Sequence, residues 1–257
     1  MSTIFSLQDR TAVVVGATSG IGKSIALALA DAGANVVPTG RRREQCDEVA
    51  SLVEQRGARS LRQPVDVSNR ESITELRDAT LEAFGQVHIL VNCAGKTKRT
   101  PTLDVTDDEW NSIFDTNVTG ALRCSQIFGR HMIEQKYGRI VNIASLSTFV
   151  ALYEVAAYCA SKAAIASLTK SLAIEWARHG ICVNAIAPGV VRTELNAKLL
   201  DETQRGQEFL TRTPLGRFGT TDEIASAAVY LSSDAITYVN GVVLPVDGGF
   251  LASGVNQ

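Results

Sequence analysis

Apolar and polar positions follow two rhythms along the chain. Short runs rich in Val, Ile and Ala occur at 11–15, 35–37, 60–65, 88–92, 139–143, 181–186 and 241–246. Several are apolar without a break, the pattern of strands covered on both faces. Between them, apolar residues recur at helical spacing near 21–32, 43–56, 69–84, 107–134, 157–178 and 221–232. Three of these stretches open on a Ser or Thr with Glu three positions later: Ser68 with Glu71, Thr106 with Glu109, and Thr220 with Glu223. That spacing predicts capping boxes. Repeated strand–helix alternation predicts an α/β fold with a parallel sheet and right-handed crossovers. No Pro- or Gly-rich linker and no internal repeat divides the chain, so residues 1–257 read as one domain.

One stretch breaks the rhythm. Residues 192–214 are polar and helical in pattern, and they precede the last helix–strand unit. A compact domain rarely keeps so long an excursion without a use. A lid over a substrate site is one reading; a surface excursion or a contact between copies is the other.

Composition narrows the classes. Of 257 residues, 45% are hydrophobic and 20% charged, with a formal charge of −2, so a large core is expected and disorder is not. That balance gives no bulk attraction to nucleic acid or to an anionic membrane. The five cysteines show no CxxC spacing and the three histidines are scattered, which predicts neither a disulfide framework nor a metal site. The N-terminal residues lack a basic segment followed by an apolar core, and no apolar run approaches the ~20 residues of a membrane span. The expectation is a cytoplasmic protein with a small-molecule substrate.

Candidate chemistry begins where the first strand ends, at Val15-Gly16-Ala17-Thr18-Ser19-Gly20-Ile21-Gly22. Glycines here let the backbone approach a pyrophosphate, and the following helix N-terminus offers N–H groups and positive partial charge. The spacing is GxxxGxG rather than GxGxxG, and a tight turn would show the same glycines. An NAD-type site carries an acid about 20 residues further on, at the end of the second strand. Here that end reads Thr39-Gly40-Arg41-Arg42-Arg43. Arg41 and Arg42 suit a 2′-phosphate, because the guanidinium fork matches phosphate oxygens. The sequence therefore predicts NADP rather than NAD.

Tyr158 and Lys162 lie one helical turn apart on one face, and Ser145 sits at the C-terminal end of the run 139–143. Oxidising an alcohol requires removal of its hydroxyl proton as hydride leaves carbon. A free Tyr has a pKa of about 10 and is a weak base at neutrality. A neighbouring ammonium is expected to lower it. Ser145 would hold the reacting oxygen beside Tyr158. Each residue alone reads as a packing aromatic, a surface charge or a strand-end hydroxyl; together, behind a phosphate cradle, they read as a catalytic set.

These residues carry a resemblance to the short-chain dehydrogenase/reductase family over essentially the whole chain. The matching motifs are Gly16…Gly20-Ile21-Gly22, Asp66-Val67, Asn92-Cys93-Ala94-Gly95, Asn117, Ser145, Tyr158…Lys162 and Pro188-Gly189…Thr193. The resemblance implies a Rossmann-like, doubly wound, seven-stranded sheet and a homotetramer. It places Thr18 and Ser19 in the phosphate cradle, Asp66 with Val67 at the adenine, Asn92, Ala94 and Gly95 along the cofactor, and Thr193 at the nicotinamide amide beyond Pro188 and Gly189. Lys162 would also bond the nicotinamide ribose, and Asn117 would support a water in a proton relay. Val15 and Cys93 depart from the family's usual Thr and Asn, and Cys93 puts a hydrogen bond between neighbouring strands in doubt.

The opening Phe5-Ser6-Leu7, the segment Lys98-Arg99-Thr100-Pro101, and Arg212-Thr213-Pro214 with Gly216-Arg217-Phe218-Gly219 are similar to gluconate 5-dehydrogenases and related sugar-acid dehydrogenases. Arg99 would then bind a substrate carboxylate, and the polar stretch 192–214 would cover it. A 3-oxoacyl or small-ketone reductase is the alternative, and a non-catalytic dinucleotide-binding sensor a remote one.

Overall fold

The computed structural model describes residues 4–194 and 196–254; residues 1–3, Leu195 within the expected lid, and 255–257 lie outside the described residues. Six strands, β1 (Thr11–Val15), β2 (Asn35–Thr39), β3 (Ile89–Asn92), β4 (Gly138–Ile143), β5 (Ile181–Pro188) and β6 (Val243–Val246), form one sheet. All neighbours are parallel, in the order β2-β1-β3-β4-β5-β6. The chain leaves β1 toward β2 on one side and returns to β3 on the other. The strand order reverses there, and a crevice is expected beyond the C-terminal strand ends.

The helices are α1 (Gly20–Asp31), α2 (Arg43–Glu54), α3 (Arg70–Phe84), α4 (Asp107–Phe114), α5 (Gly120–Glu134), α6 (Ala156–Trp176), α7 (Ala197–Asp201), α8 (Gln204–Arg212) and α9 (Thr221–Ser232). Strand alternation sends Ala12, Val14, Ile89 and Val91 to a core with Ile25, Leu29, Ile224 and Leu231 of α1 and α9. The intervening Val13, Val15 and Leu90 face Leu76, Phe128, Met132 and Leu172 of α3, α5 and α6. Both faces are covered, which is why the strands read as unbroken apolar runs.

The expected seven-stranded sheet is corrected to six. Residues 60–65 make a single bridge, Val36 with Ser60, with Val36 N–H donating to Arg59 O at 3.0 Å, and then Val65 N–H donates to Gly40 O at 3.0 Å, past the end of β2. The next outward ladder donor on β2 would be residue 38, and Pro38 has no N–H. Pro64 removes another donor from the approaching segment, so no continuous ladder forms.

Caps follow local chemistry. Thr220 and Glu223 form the complete box, with Thr220 N–H donating to Glu223 Oε2 at 2.8 Å. Thr106 accepts from Glu109 N–H at 3.2 Å, but Glu109 turns its carboxylate to Lys98 at 2.6 Å. Ser68 does not cap α3. Asn69 does, accepting from Glu71 and Ser72 N–H groups, while Ser68 donates its hydroxyl to Asp66 at 2.7 Å. A single π-helical turn, Asp115–Thr119, links α4 to α5.

Residues 192–214 carry the two short helices α7 and α8. Arg192 grips Asp201 through two guanidinium nitrogens at 2.7–3.1 Å, closing α7 back on its own entry.

Candidate active site

The turn from β1 into α1 has no space for a side chain at Gly16 or Gly22. Gly16 has φ +89°, and a Cβ there would meet Ala94 N at 2.5 Å; one on Gly22 would stand 2.1 Å from Gly16 O. Ser19, the N-cap of α1, makes no side-chain cap, and the first turn holds no acid. Its N–H groups and positive end therefore suit an anion. The fit to a dinucleotide pyrophosphate rests on that glycine packing and that uncapped helix start.

At the adenosine end, Arg42 donates to Thr18 Oγ1 at 3.0 Å, bringing the second strand's exit onto the cradle. Asp66 stands close by. The Ser68 hydroxyl and N–H hold its carboxyl below the ordinary range, with Arg41 and Arg123 adding to this. No acid intervenes between Thr39 and Arg43, so cations line this end. Val67 is buried, and its carbonyl accepts from Arg123 at 3.2 Å.

Further along the crevice, Gly95 adjoins the reactive groups. A Cβ on it would lie 3.4 Å from Asn117 Oδ1 and 3.6 Å from Lys162 Nζ. Across the cradle, a Cβ on Gly20 would lie 3.6 Å from Thr193 Cγ2. Pro188 ends β5, and Gly189 N–H donates to Val246 O at 2.9 Å, directing the chain over the crevice toward Thr193.

Ser145 begins a 3-10 turn just past β4, where its Oγ accepts from Ser147 N–H at 3.1 Å. Tyr158 and Lys162 project from the first turns of α6. Lys162 is buried and donates to Ile143 O at 2.7 Å; its Nζ lies 5.6 Å from the centre of the Tyr158 ring. Burial pushes Lys162 down to about 8. Burial also pushes the Tyr158 phenol above its ordinary value, against an opposing hydrogen bond with Ser145. Burial thus opposes the lowering expected from the Lys162 ammonium. The ammonium is turned onto a main-chain carbonyl, and the phenol sits in a site too dry to favour phenolate.

Asn117 lies on the π-helical turn. Its Nδ2 donates to Lys96 O at 3.0 Å and Ser161 Oγ at 2.9 Å, and its Oδ1 accepts from Lys96 N–H at 2.8 Å. The side-chain amide positions the loop after β3 and α6 around the site. Ser161, which donates to Tyr158 O at 2.7 Å, completes this link and was not singled out by sequence. Asn92 has side-chain partners of its own. Its Nδ2 donates to Asn142 Oδ1 of β4 at 2.9 Å and to Ser125 Oγ of α5 at 3.2 Å. That bond ties β3 to β4, and Cys93 N–H donates to Val15 O at 2.9 Å, so the Cys93 departure leaves the strands joined.

On the substrate side, the cations of the loop after β3 carry partners. Arg99 pairs with Glu154 at 2.5 Å, Lys98 with Glu109 at 2.6 Å, and Lys96 with the Ser112 hydroxyl. Phe149, Val150 and Tyr153, in the connection from Ser145 to Tyr158, are exposed apolar residues, as is Leu199 of the cover. Glu154 was not identified from sequence, because only the fold brings it to Arg99.

The short-chain dehydrogenase family model described as enoyl-(acyl carrier protein) reductase matches residues 16–251. The chain is 43% identical over 250 residues to the 2-dehydro-3-deoxy-D-gluconate 5-dehydrogenase of Bacillus subtilis (strain 168), covering 96% of this chain and 97% of that protein. It is 40% identical over 250 residues to the galactitol 2-dehydrogenase (L-tagatose-forming) of Cereibacter sphaeroides, covering 96% and 97%. A crystal structure of a gluconate 5-dehydrogenase from Burkholderia cenocepacia J2315, in complex with NADP and tartrate, superposes with a TM-score of 0.93 at 36% identity, covering 97% of this chain and 98% of that one. With cradle, tyrosine and lysine in family order on the family's sheet, this chain belongs to the short-chain dehydrogenase/reductase family and is an oxidoreductase of that type.

Proposed function

We propose that the protein is an NADP-dependent oxidoreductase interconverting a secondary alcohol and a ketone in a sugar acid or polyol. The observation that carries this reading is the buried Lys162, held on Ile143 O one helical turn beyond Tyr158, with Ser145 as hydrogen-bond partner of the phenol. Residues 192–214 act as its lid within a single catalytic unit.

When bound, the nicotinamide accepts or supplies the hydride. The chain's own groups handle the proton and the oxygen. Ser145 holds the reacting oxygen beside the Tyr158 hydroxyl. Tyr158 accepts the alcohol proton in oxidation and returns it in reduction. Lys162 bonds the cofactor ribose and, while an ammonium, opposes phenol burial by favouring phenolate. Asn117 fixes Lys96 and α6 around these groups. The glycine turn with Thr18 and Ser19 holds the pyrophosphate; Asp66 and Val67 flank the adenine; Ala94, Gly95 and Thr193 border the nicotinamide half. Arg41 and Arg42 take the 2′-phosphate.

Five free cysteines among the described residues support a cytoplasmic setting. Exposed Trp110, Ile174 and Tyr238 support association of copies, read here as a homotetramer. A second reading, reduction of a 3-oxoacyl or other small ketone, is favoured by exposed Phe149, Val150 and Tyr153 between Ser145 and Tyr158.

The test is turnover of sugar acids, polyols, their keto forms and acyl thioesters with each cofactor. NADP(H) should be preferred by at least about tenfold, equivalent to ~1.4 kcal/mol. Arg41→Ala should narrow that preference. Adding Gly40→Asp should turn it toward NAD(H), at some cost, because a Cβ there stands 2.9 Å from Thr18 Cγ2. Equal or better use of NADH by the wild type would contradict the cofactor reading. Faster turnover of acyl thioesters than of any sugar derivative would install the second reading.

A further inference from the structure

The functional reading above leaves a choice between an anionic sugar acid and a neutral polyol, and the wall of the site bears on it. Three segments meet at Tyr153 and Glu154. The loop after β3 arrives through Arg99, whose Nε donates to Glu154 Oε2 at 2.5 Å, and through Thr100, whose N–H donates to Glu154 O at 2.8 Å. The lid arrives through Arg205 of α8, which donates to Tyr153 O at 3.1 Å. The third segment is the connection from Ser145 to Tyr158 itself, since Glu154 lies four residues ahead of Tyr158.

Glu154 is held there at a conformational cost. Its φ is +61°, a left-handed backbone that a glutamate rarely adopts. Its side chain is 19% exposed against 54% for Arg99, so the acid is the more enclosed partner. Of the other cations of the same loop, Lys98 is paired with Glu109, while Lys96 donates to the neutral Ser112 hydroxyl and keeps its charge. A carboxylate seeking Arg99, the cation the sugar-acid reading assigns to it, would find that guanidinium already paired with an anion. To reach Arg99 it would have to displace an anion already fixed on the same guanidinium and then remain next to it. A neutral hydroxyl meets no such opposition and can donate to Glu154.

We infer that Glu154 is a specificity-determining residue which neutralises Arg99 and selects neutral polyols and their keto forms over sugar acids. This rests on the sugar acid or polyol reading and divides it.

The experiment compares wild type with Glu154→Gln, using kcat/KM for matched pairs of an alditol and the aldonate of the same carbon skeleton. Tartrate binding to the NADPH-loaded protein is measured by calorimetry in parallel. NADPH fluorescence verifies that the variant folds. The wild type should prefer the alditol. Glu154→Gln should raise the aldonate-to-alditol ratio at least about tenfold and tighten tartrate by a similar factor, the scale of one charged partner released for a carboxylate. A wild type that prefers aldonates, or a variant in which neither the ratio nor tartrate affinity moves, overturns the assignment. Glu154→Asp, which keeps the charge, should leave the ratio near the wild-type value. If neither sugar class turns over while ketones or acyl thioesters do, the parent reading falls. The tartrate arm still decides whether Glu154 blocks an anion at Arg99.

Discussion

At the scale of single residues, Lys162 shows how this site sets function against stability. Its ammonium is buried, and the depression from 10.5 to about 8 corresponds to a folding cost of about 3 kcal/mol at neutral pH. The bond to Ile143 O recovers only part of that. Lys162→Met should therefore abolish turnover yet stabilise the fold. After about 1–2 kcal/mol is lost by leaving Ile143 O unpaired, a rise in Tm of about 2–6 °C is expected by calorimetry. The pH dependence has a definite sign. The folded pKa lies below the unfolded one, so the unfolded chain holds more protons between about 8 and 10.5, and wild-type stability gains over that window. The variant should lack that gain. An unchanged or lower Tm at pH 7 would contradict the burial argument. Tyr158, Lys162 and Ser145 were legible as a set from their spacing taken with the glycine turn and the strand end. The direction of the Tyr158 shift was not, because spacing placed the ammonium near the phenol but could not show that it turns to a carbonyl.

At the scale of elements, His88 joins the starts of two strands. It precedes β3, and its Nδ1 accepts from Thr11 N–H of β1 at 3.0 Å, a bond that requires the neutral ring. Burial, helped by Arg10, pushes His88 down to about 4. Its contribution is fully present above the unfolded value of 6.5 and is lost as pH falls through the folded value near 4. Up to about 3 kcal/mol is at stake over that window. Urea midpoints measured from pH 7 to pH 4 should fall steeply in wild type and less in His88→Gln; parallel curves would contradict the assignment. Elements also mark where reading the sequence stops. Pro38 and Pro64 were visible, yet the apolar run at 60–65 still read as a strand, because run length does not say which ladder donors are missing. The cap of α3 shifted from Ser68 to Asn69 because Asp66 competes for the serine hydroxyl. The π-helical turn that aims Asn117 left no signal in a stretch of continuous helical periodicity.

At the scale of the whole molecule, β1 with its glycine turn, the reversal of strand order beside it, and the arrival of α6 at the same sheet edge put the cradle and Tyr158 in one crevice. That convergence was readable because each part lies at the end of an apolar run. The wall around it was not readable, because Arg99 and Glu154 are 55 residues apart and meet only through the fold. The central claim is that Tyr158 transfers the proton while the remainder of the crevice binds the cofactor. It is tested most directly by measuring turnover and NADPH affinity together in Tyr158→Phe. The predicted result is a loss of at least about a thousandfold in kcat, within the range of general acid–base catalysis, with NADPH bound within a few-fold of wild type. Retention of more than about a tenth of wild-type turnover would contradict it, since a tenfold loss is only ~1.4 kcal/mol of transition-state stabilisation.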